Sequence, residues 1–445
     1  MRSPRFFPIL FYALCLCCQA CTGSQVTQET PLVASATFSS ISTPTSVEAI
    51  EARSFSSTPI PLDEQNPLCQ PETVDSMFNS ACANGALKIR QNENRRGLDI
   101  FLARMTALKH STPFTLSATI TSRKANSSAM DENQYGFFIL DASGMEYALR
   151  FQGQYFNMES WDDNEEGKAF ERYNMSYFPF LNTNGQANLV QFSCTDEICD
   201  LYLNHEFSAR FPLDLRGGIS GVGIFAASTW DERFGEVTIQ DLTIQPSADA
   251  PLLSEPYALE DDLTADHGTF SQSGLSGAFN IFAEDGFHFS SLIPFGYYAA
   301  KTNPSLADVA VSTTVHMEID PTGSSSRYAG LICRSSQDGM YMAVIRADGS
   351  YSIFRDTSQR PFALLAERKS DAILSGISEN LLKLECIGDQ VNFYINGTQV
   401  EALTDHRYGL QFGRSGLFTK TGGEPSADAI IFKDFVIEEI RDRKN

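Results

Sequence analysis

Basic side chains are scarce in this sequence. Its 445 residues include 33 lysines and arginines against 55 aspartates and glutamates, which gives a formal net charge of −22. Nucleic acids and anionic lipid headgroups are bound by stripes of lysine and arginine, so this balance argues against both as partners. Acidity alone names no substrate, because it acts mainly on solubility and repulsion.

Motifs that carry out catalysis or hold metals are also missing. The six histidines occur singly, and the sequence has no His-Glu-x-x-His pair, no Gly-x-Ser-x-Gly elbow and no glycine-rich phosphate loop. Asp-Gly pairs occur without the repeated Asp spacing of a calcium loop. We therefore expect no catalytic residues and no cofactor.

Long apolar runs are absent beyond the leader at 1–21. Arg2 and Arg5 precede an apolar stretch at 6–16 that is typical of an export signal and too short to span a bilayer. The leader ends in Cys18-Gln19-Ala20-Cys21, which resembles a bacterial lipobox with its acylated cysteine. We expect lipidation of Cys21 and display on the bacterial cell envelope; the alternative is an ordinary cleaved signal peptide and a free secreted protein.

The rest of the chain divides by composition. Residues 22–65 are rich in serine, threonine and proline and cannot bury enough apolar surface to fold, so we expect a disordered stalk. Two domains are expected after it, at 66–247 and 257–441. A linker at 248–256 separates them and contains Asp249 and Pro251.

The two domains repeat one pattern. Asn188–Cys194 matches Asn380–Cys386, and at the same offset Asp200–Asn204 matches Asn392–Asn396. Apolar residues alternate with polar ones in these segments, which is the period of a half-buried strand. The sequence therefore predicts an all-β protein with two tandem antiparallel β-sandwiches.

Six cysteines remain after the leader, an even number that indicates disulfides in an exported chain. Placing Cys194 opposite Cys199 in a hairpin puts Phe192 opposite Leu201 and Val190 opposite Leu203, all on one face. The residue opposite Cys386 is Val391, so Cys386 needs the other cysteine of its copy, Cys333. The alternative is that Cys333 and Cys386 are reduced core residues. The predicted bonds are Cys69–Cys82, Cys194–Cys199 and Cys333–Cys386.

A family resemblance rests on strands and turns of the second copy. They are Tyr328–Arg334, Gly339-Met340-Tyr341, Ile345–Gly349, Phe393–Gly397, Gly413–Phe418 and Phe432–Phe435. The segment 328–437 resembles the concanavalin A-like lectin/glucanase superfamily, especially laminin G-like jelly rolls and 3-keto-disaccharide hydrolase-type domains. The resemblance implies two sheets packed face to face, often with a concave groove for glycans. Because laminin G-like domains often hold one calcium ion, it also implies a single calcium site, whose ligands the sequence does not identify. Such folds host lectins, glucanases and adhesion modules, so the fold alone names no chemistry.

The catalytic strand of laminarinase-type members has only a partial counterpart. Glu318-Ile319-Asp320 supplies the Glu-x-Asp of that strand, but Pro321 and Gly323 stand where the further glutamate is needed. A retaining glycosidase requires two carboxyl groups, so we interpret this segment as a strand followed by a turn.

Candidate ligand-binding residues are few. Trp161 and Trp230 lie in acidic, polar contexts typical of loops, where an indole can stack on a sugar ring; the alternative is that each fills an end of the core. In the second copy, the side chains that are candidates for lining a groove are Arg334, Tyr341, Arg346 and Arg355.

The sequence thus favours a lipid-anchored surface protein whose tandem lectin-like domains bind an extracellular ligand, with carbohydrate as the expected class. Two other functions stay open. One is a glycan-processing hydrolase of the keto-disaccharide type, whose catalytic residues the sequence does not identify. The other is a structural or adhesion spacer.

Overall fold

A computed structural model gives the structure of the protein. It describes residues 60–441 apart from 64, 71–77, 92–98, 106–111, 124–132, 162–168, 184, 214, 216, 229–234, 247–255, 275–277, 292–295, 320–326, 358–359, 407–409 and 422–425. The expected leader, Cys21 and the stalk up to residue 59 lie outside this part. Within it, no helix is long and apolar enough to cross a membrane.

The described chain is built of antiparallel β-strands, as predicted, and its one helical segment is a 3-10 turn at Pro67–Cys69. The strands up to residue 246 form the first sandwich. They are β1 (Phe78–Ala83), β2 (Ala86–Gln91), β3 (Asp99–Met105), β4 (Phe114–Arg123), β5 (Gln134–Asp141), β6 (Glu146–Gln152), β7 (Tyr155–Trp161), β8 (Ala169–Tyr177), β9 (Ala187–Cys194), β10 (Ile198–Leu203), β11 (Glu206–Pro212), β12 (Ile219–Ser228) and β13 (Glu236–Pro246).

The strands from residue 258 onward form the second sandwich. They are β14 (Ala258–Asp261), β15 (Phe270–Gly274), β16 (Ala278–Ala283), β17 (Gly286–Ser291), β18 (Tyr297–Leu306), β19 (Val309–Ile319), β20 (Tyr328–Ser335), β21 (Gly339–Arg346), β22 (Ser350–Thr357), β23 (Arg360–Lys369), β24 (Gly376–Ile387), β25 (Gln390–Ile395), β26 (Thr398–Thr404), β27 (Gly413–Lys420) and β28 (Ser426–Glu439).

Both sandwiches have the same strand order. In the first, a sheet ordered β1-β2-β13-β4-β9-β10-β11 faces a six-stranded sheet ordered β3-β12-β5-β6-β7-β8. In the second, β16-β17-β28-β19-β24-β25-β26 faces β18-β27-β20-β21-β22-β23. Position by position these are equivalent strands, so the repeated sequence pattern corresponds to a repeated topology.

The predicted hairpin registers are present. Cys194 lies opposite Cys199, and Phe192 lies opposite Leu201. In the second sandwich Cys386 lies opposite Val391, as the alignment requires. The structure contains the three disulfides that the sequence predicts, Cys69–Cys82, Cys194–Cys199 and Cys333–Cys386.

Matched asparagines make matched contacts. Asn204 donates a hydrogen bond to the side-chain oxygen of Asn188 at 2.9 Å, and Asn396 donates to that of Asn380 at 2.9 Å. The two donors have positive φ angles of 53° and 49°, a conformation that asparagine adopts more readily than most residues. The repeat therefore extends to individual side-chain contacts.

The two sandwiches are joined by more than the linker. Strand β11 of the first forms a parallel bridge with β18 of the second, where Ala209 lies opposite Ser305, and this makes one continuous fourteen-stranded sheet. Beside it, Arg210 donates to Asp200 at 2.6 and 2.8 Å and to Glu439 of the second sandwich at 2.6 Å. A sequence read for two separate domains gives no sign of this shared sheet.

The second sandwich also supplies part of the first core. Phe412, from the segment before β27, is fully buried in the first core and stacks on Phe211 with ring centroids 4.9 Å apart. In return, Phe207 of β11 packs on the second core and stacks on Tyr257 at 5.2 Å. Each sandwich thus contributes an aromatic side chain to the core of the other.

Candidate functional site

The six-stranded sheet of the second sandwich has a distinctive outer face. Its inward side chains, such as Leu331 and Ala343, belong to the main core, while alternate residues form a separate apolar cluster on the opposite side. That cluster is Ala299, Ile332, Met342, Val344 and Phe418, all buried, with Tyr328, Met340 and Phe354 packed against it. We call the rings of Tyr297, Tyr328, Phe354, Phe362 and Phe418 the aromatic face.

The aromatic face is concave. Tyr297 is on β18 and Phe362 is on β23, the first and last strands of the six-stranded sheet of the second sandwich. In a flat sheet with 4.8 Å between strands, these two strands would lie about 24 Å apart. Their ring centroids are only 5.9 Å apart. Gly330 allows neighbouring strands to approach closely, because a Cβ there would lie 2.0 Å from the carbonyl oxygen of Ala343. The β22–β23 hairpin therefore folds back over the face.

Phe362 is held in an unusual conformation. Its φ angle is +50°, which is a strained backbone for a bulky side chain, and its N–H donates to Oδ1 of Asp356 at 3.0 Å. The ring contacts Phe418 at 6.4 Å and Phe354 at 6.5 Å. These contacts place an aromatic ring at the mouth of the concave face instead of in the core.

Two cations border the aromatic rings. The guanidinium of Arg346 lies 5.0 Å from the ring centroid of Tyr328, and the ammonium of Lys420 lies 5.3 Å from the same ring. Arg346 also pairs with Glu367 at 2.9 Å. Tyr297 and Phe362 remain 44% and 39% exposed, so a ligand can reach ring surfaces beside hydrogen-bonding groups.

The equivalent outer face in the first sandwich is more polar. Arg150 donates to Asn157 at 3.1 Å and pairs with Glu159 at 2.8 Å, while Arg104 pairs with Glu146 at 3.0 Å. Asn157 and Glu159 are buried although they face away from the main core. The arrangement orients several donors and acceptors together, and Glu146 and Glu159 are each paired with an arginine.

Of the four groove residues predicted in the second copy, only Arg346 lies on the aromatic face. Arg334 is 2% exposed, and its guanidinium donates to the carbonyls of Ala307, Gly388 and Leu410. It holds three segments together, so the expectation that it lines an exposed groove is corrected.

Tyr341 and Arg355 also point into the sandwich. The Tyr341 hydroxyl donates to Asp405 at 3.0 Å, and Arg355 donates to the same carboxylate at 2.5 Å. Burial, followed by the charge of Asp405, raises the pKa of Tyr341 above its usual range. The sequence placed Tyr341 and Arg355 on strands, as observed, but both side chains face into the sandwich. The expectation that they line an exposed groove is therefore wrong.

Of the two predicted tryptophans, Trp161 lies within the described residues. Trp161 ends β7, where its backbone pairs with Glu146, and Trp230 lies outside the described residues. The last described residue before Trp230 is Ser228, which ends β12 opposite Asp99. The residue opposite Trp161, Glu146, belongs to a different strand, β6. The sugar-stacking role of either indole stays a prediction.

Other candidates from the sequence lie elsewhere. Glu318 is on β19 of the opposite sheet, 3.7 Å from Arg327, and Asp320 lies outside the described residues. In the part of the chain that the structure describes, one group of possible metal ligands has its atoms within 4.8 Å: Asp261, Asp262 and His267. Asp261 already accepts hydrogen bonds from Leu263 at 2.8 Å and from Thr269.

Sequence reasoning missed Tyr297, Phe362 and Lys420. Alternation along Tyr297, Ala299 and Lys301 marks one face of a strand, so Tyr297 carried a usable signal. Phe362 carried none, because its position depends on a hairpin folding across a curved sheet.

Comparison with known proteins gives likeness in structure only. The carbohydrate-binding module CBM66 from Bacillus subtilis is 18% identical; the match covers 38% of this chain and 96% of that chain, with a TM-score of 0.31. A Bacillus subtilis protein of unknown function with a galectin-like fold is 14% identical over 41% of this chain and 94% of that chain, with a TM-score of 0.34. No protein-family model matches the chain, and no curated protein matches it in sequence.

Proposed function

We propose that the protein binds carbohydrate on the aromatic face of its second sandwich. One observation carries the proposal: the half-exposed rings of Tyr297 and Phe362 lie 5.9 Å apart, at the mouth of a concave face bordered by Arg346, Glu367 and Lys420. Aromatic rings pack against the C–H faces of sugars, while a few well-placed polar groups bind the hydroxyls. An apolar surface without those polar groups would suit a protein partner better.

The site is positioned without needing a ligand. Its floor is buried, Phe362 is held by Asp356, and Arg346 is fixed by Glu367 and the Tyr328 ring. Preorganised side chains lose little freedom on binding, which favours affinity for a small polar ligand.

A glycan array probed with the full-length protein identifies a bound glycan, and calorimetry then compares variants. We expect Tyr297→Ala and Phe362→Ala each to weaken binding by about 1–3 kcal/mol, the range for losing the burial of a large apolar side chain. Tyr155→Ala is the matched control, since Tyr155 is 37% exposed on the first sandwich. Unchanged affinity in both test variants, with the fold intact, would contradict the proposal.

We further propose that the chain is held at the cell envelope by a lipid on Cys21, as its lipobox-like context suggests. A Cys21→Ala variant should move from the detergent-extracted fraction to the soluble fraction, because each buried methylene contributes about 0.8 kcal/mol. Wild type that is soluble after export, with no lipid on its mature N-terminus, would refute the anchor.

A further inference from the structure

The two exposed rings of the aromatic face are inclined to each other. Of its five rings, those of Tyr297 and Phe362 are the exposed ones, and their planes meet at 68°. Other contacts within the face are nearly parallel stacks: Tyr297 lies at 23° to Phe418, and Tyr328 lies at 22° to Phe354. A ligand therefore meets two ring surfaces that do not share a plane.

A buried ring fixes this inclination. Phe418 is 1% exposed, and its ring centroid lies 6.5 Å from that of Tyr297 and 6.4 Å from that of Phe362. With the 5.9 Å between the two exposed rings, the three rings form a triangle in which each contacts the other two. Turning either exposed ring breaks its contact with the buried one, so the angle is a property of the packing.

The backbone restrains Phe362 further. In the β22–β23 ladder, Pro361 and Phe362 together stand opposite the single residue Asp356, which is a β-bulge. Bulges bend a strand and redirect a side chain. The left-handed conformation of Phe362, with its φ of +50°, is held by the hydrogen bond from its N–H to Oδ1 of Asp356. The ring is thus directed by the strand as well as by its neighbours.

Glycan chains differ in how successive sugar rings are oriented. In a flat ribbon, such as a β-1,4-linked glucose chain, neighbouring rings lie close to one plane, whereas most other linkages bend the chain and incline neighbouring rings to each other. The spacing of 5.9 Å between Tyr297 and Phe362 is about the length of one sugar unit, so the pair spans neighbouring units. Both units can pack their C–H faces on the rings only when their inclination matches that of the rings.

We propose that Tyr297 and Phe362 select a glycan chain that bends between two neighbouring sugar units and discriminate against flat β-1,4-linked ribbons. The inference rests on the proposed carbohydrate binding and specifies its ligand class by linkage geometry. A flat ribbon packs on one ring of the pair, because the other is inclined away from it by 68°. Phe418 and Asp356 are positioning residues, which set the angle through the rings that contact the glycan.

The test uses an array of hexasaccharides in which glucose, mannose, N-acetylglucosamine, galactose and xylose each appear in several linkages. The β-1,4-linked chains of the first three sugars are the flat ribbons. Calorimetric titration of the full-length protein then compares the tightest-binding chain with these three ribbons. We expect that chain to be a bent one and to bind about 10-fold or more tightly than any ribbon, because a ribbon loses one ring contact.

Variants show whether the inclined pair is the source of the preference. Phe362→Ala leaves one exposed ring, which flat and bent chains contact alike, so the preference should disappear. Asp356→Ala should lower it, because the Phe362 N–H loses its acceptor, whereas Asp356→Asn offers an amide oxygen in the same place and should keep it. Tyr155→Ala on the first sandwich is the control, and melting curves show that each variant is folded.

The outcomes separate this inference from the proposed function. A ribbon that binds as tightly as any bent chain, with Tyr297→Ala still weakening binding, would overturn the linkage preference and leave the proposed function standing. A bent-chain preference that survives Phe362→Ala would overturn it as well, because the pair would not be its source. No binding of any chain on the array would remove both proposals.

Discussion

Single side chains explain much of why each sandwich holds its shape. Asn396 accepts a hydrogen bond from the Leu381 N–H at 2.8 Å and donates to the Ala372 carbonyl at 2.8 Å, in addition to its bond with Asn380. The positive φ angle suits asparagine, so an alanine would lose the contacts and strain the backbone.

We expect Asn396→Ala to lower the free energy of unfolding by about 1–3 kcal/mol, because the buried Asn380 loses a hydrogen-bond partner and the backbone at 396 becomes strained. Chemical denaturation measures the change, and the equivalent Asn204→Ala variant should behave alike. Asn392→Ala is the control, because within the described part of the chain that side chain accepts a single, long hydrogen bond of 3.4 Å, from Gln399. A loss equal to that of the control would show that the network contributes nothing.

Lys301 leads to a prediction on pH and stability that is independent of any ligand. Its pKa is lowered from 10.5 to about 8, so between these pH values the unfolded chain holds a proton that the folded chain has released. Stability of the wild type should therefore rise with pH across this window relative to Lys301→Met, by at most about 3 kcal/mol at 1.36 kcal/mol per pKa unit. Melting curves of both proteins at pH 7 and pH 10 measure it; parallel changes would contradict the lowered pKa.

For single residues, the sequence predicted the cysteine pairs correctly but predicted less well which way side chains point. The Cys194–Cys199 pair followed from register, because opposed positions in a hairpin are set by the apolar pattern, and Cys333 was assigned to Cys386 as the other cysteine of its copy. Arg334 was misplaced because its φ of +52° marks an irregularity in β20, and no pattern in the sequence reveals a bulge there.

The disulfides restrain the strands of the two sandwiches to different degrees. Cys333–Cys386 links β20 to β24 on the two sheets of the second sandwich, across 53 residues, whereas Cys194–Cys199 closes a hairpin across five. A crosslink restrains the unfolded chain more when its loop is longer.

Replacing Cys333 and Cys386 together with alanine should lower the free energy of unfolding by about 4 kcal/mol, against about 2 kcal/mol for Cys194 and Cys199. Denaturant midpoints of the two double variants provide the comparison. Equal losses, or a larger loss from the hairpin bond, would go against the loop-length account.

Hairpins were predictable from alternation and turn residues, as the left-handed Gly349 between β21 and β22 illustrates with its φ of +77°. The way the β22–β23 hairpin folds back over the sheet could not be predicted from the sequence. The curvature arises from the close approach of strands at Gly330 and from contacts between distant strands. The candidate site depends on that curvature, which is why its main aromatic residues escaped sequence analysis.

Over the whole molecule, the two sandwiches share a sheet and exchange core residues. Phe412 belongs to the second sandwich by sequence and to the first by burial. Both tryptophans, Trp161 and Trp230, lie in the first copy, so tryptophan fluorescence reports on that sandwich alone.

We expect Phe412→Ala to shift the tryptophan-detected unfolding transition to lower denaturant, with a loss of about 3–5 kcal/mol for removing a buried phenylalanine. Circular dichroism should report the same midpoint as fluorescence in the wild type, because unfolding either sandwich exposes the other's core. An unchanged fluorescence transition in the variant would show that Phe412 does not stabilise the first core.

The central claim is that the aromatic face binds carbohydrate, and footprinting by carbene labelling tests it most directly. Full-length protein is labelled with and without a glycan identified on the array, and labelled positions are mapped by mass spectrometry. The account predicts protection at Tyr297, Phe362 and Arg346, with Tyr155 labelled equally in both samples. Protection confined to the first sandwich, with Tyr297 and Phe362 unchanged, would contradict it.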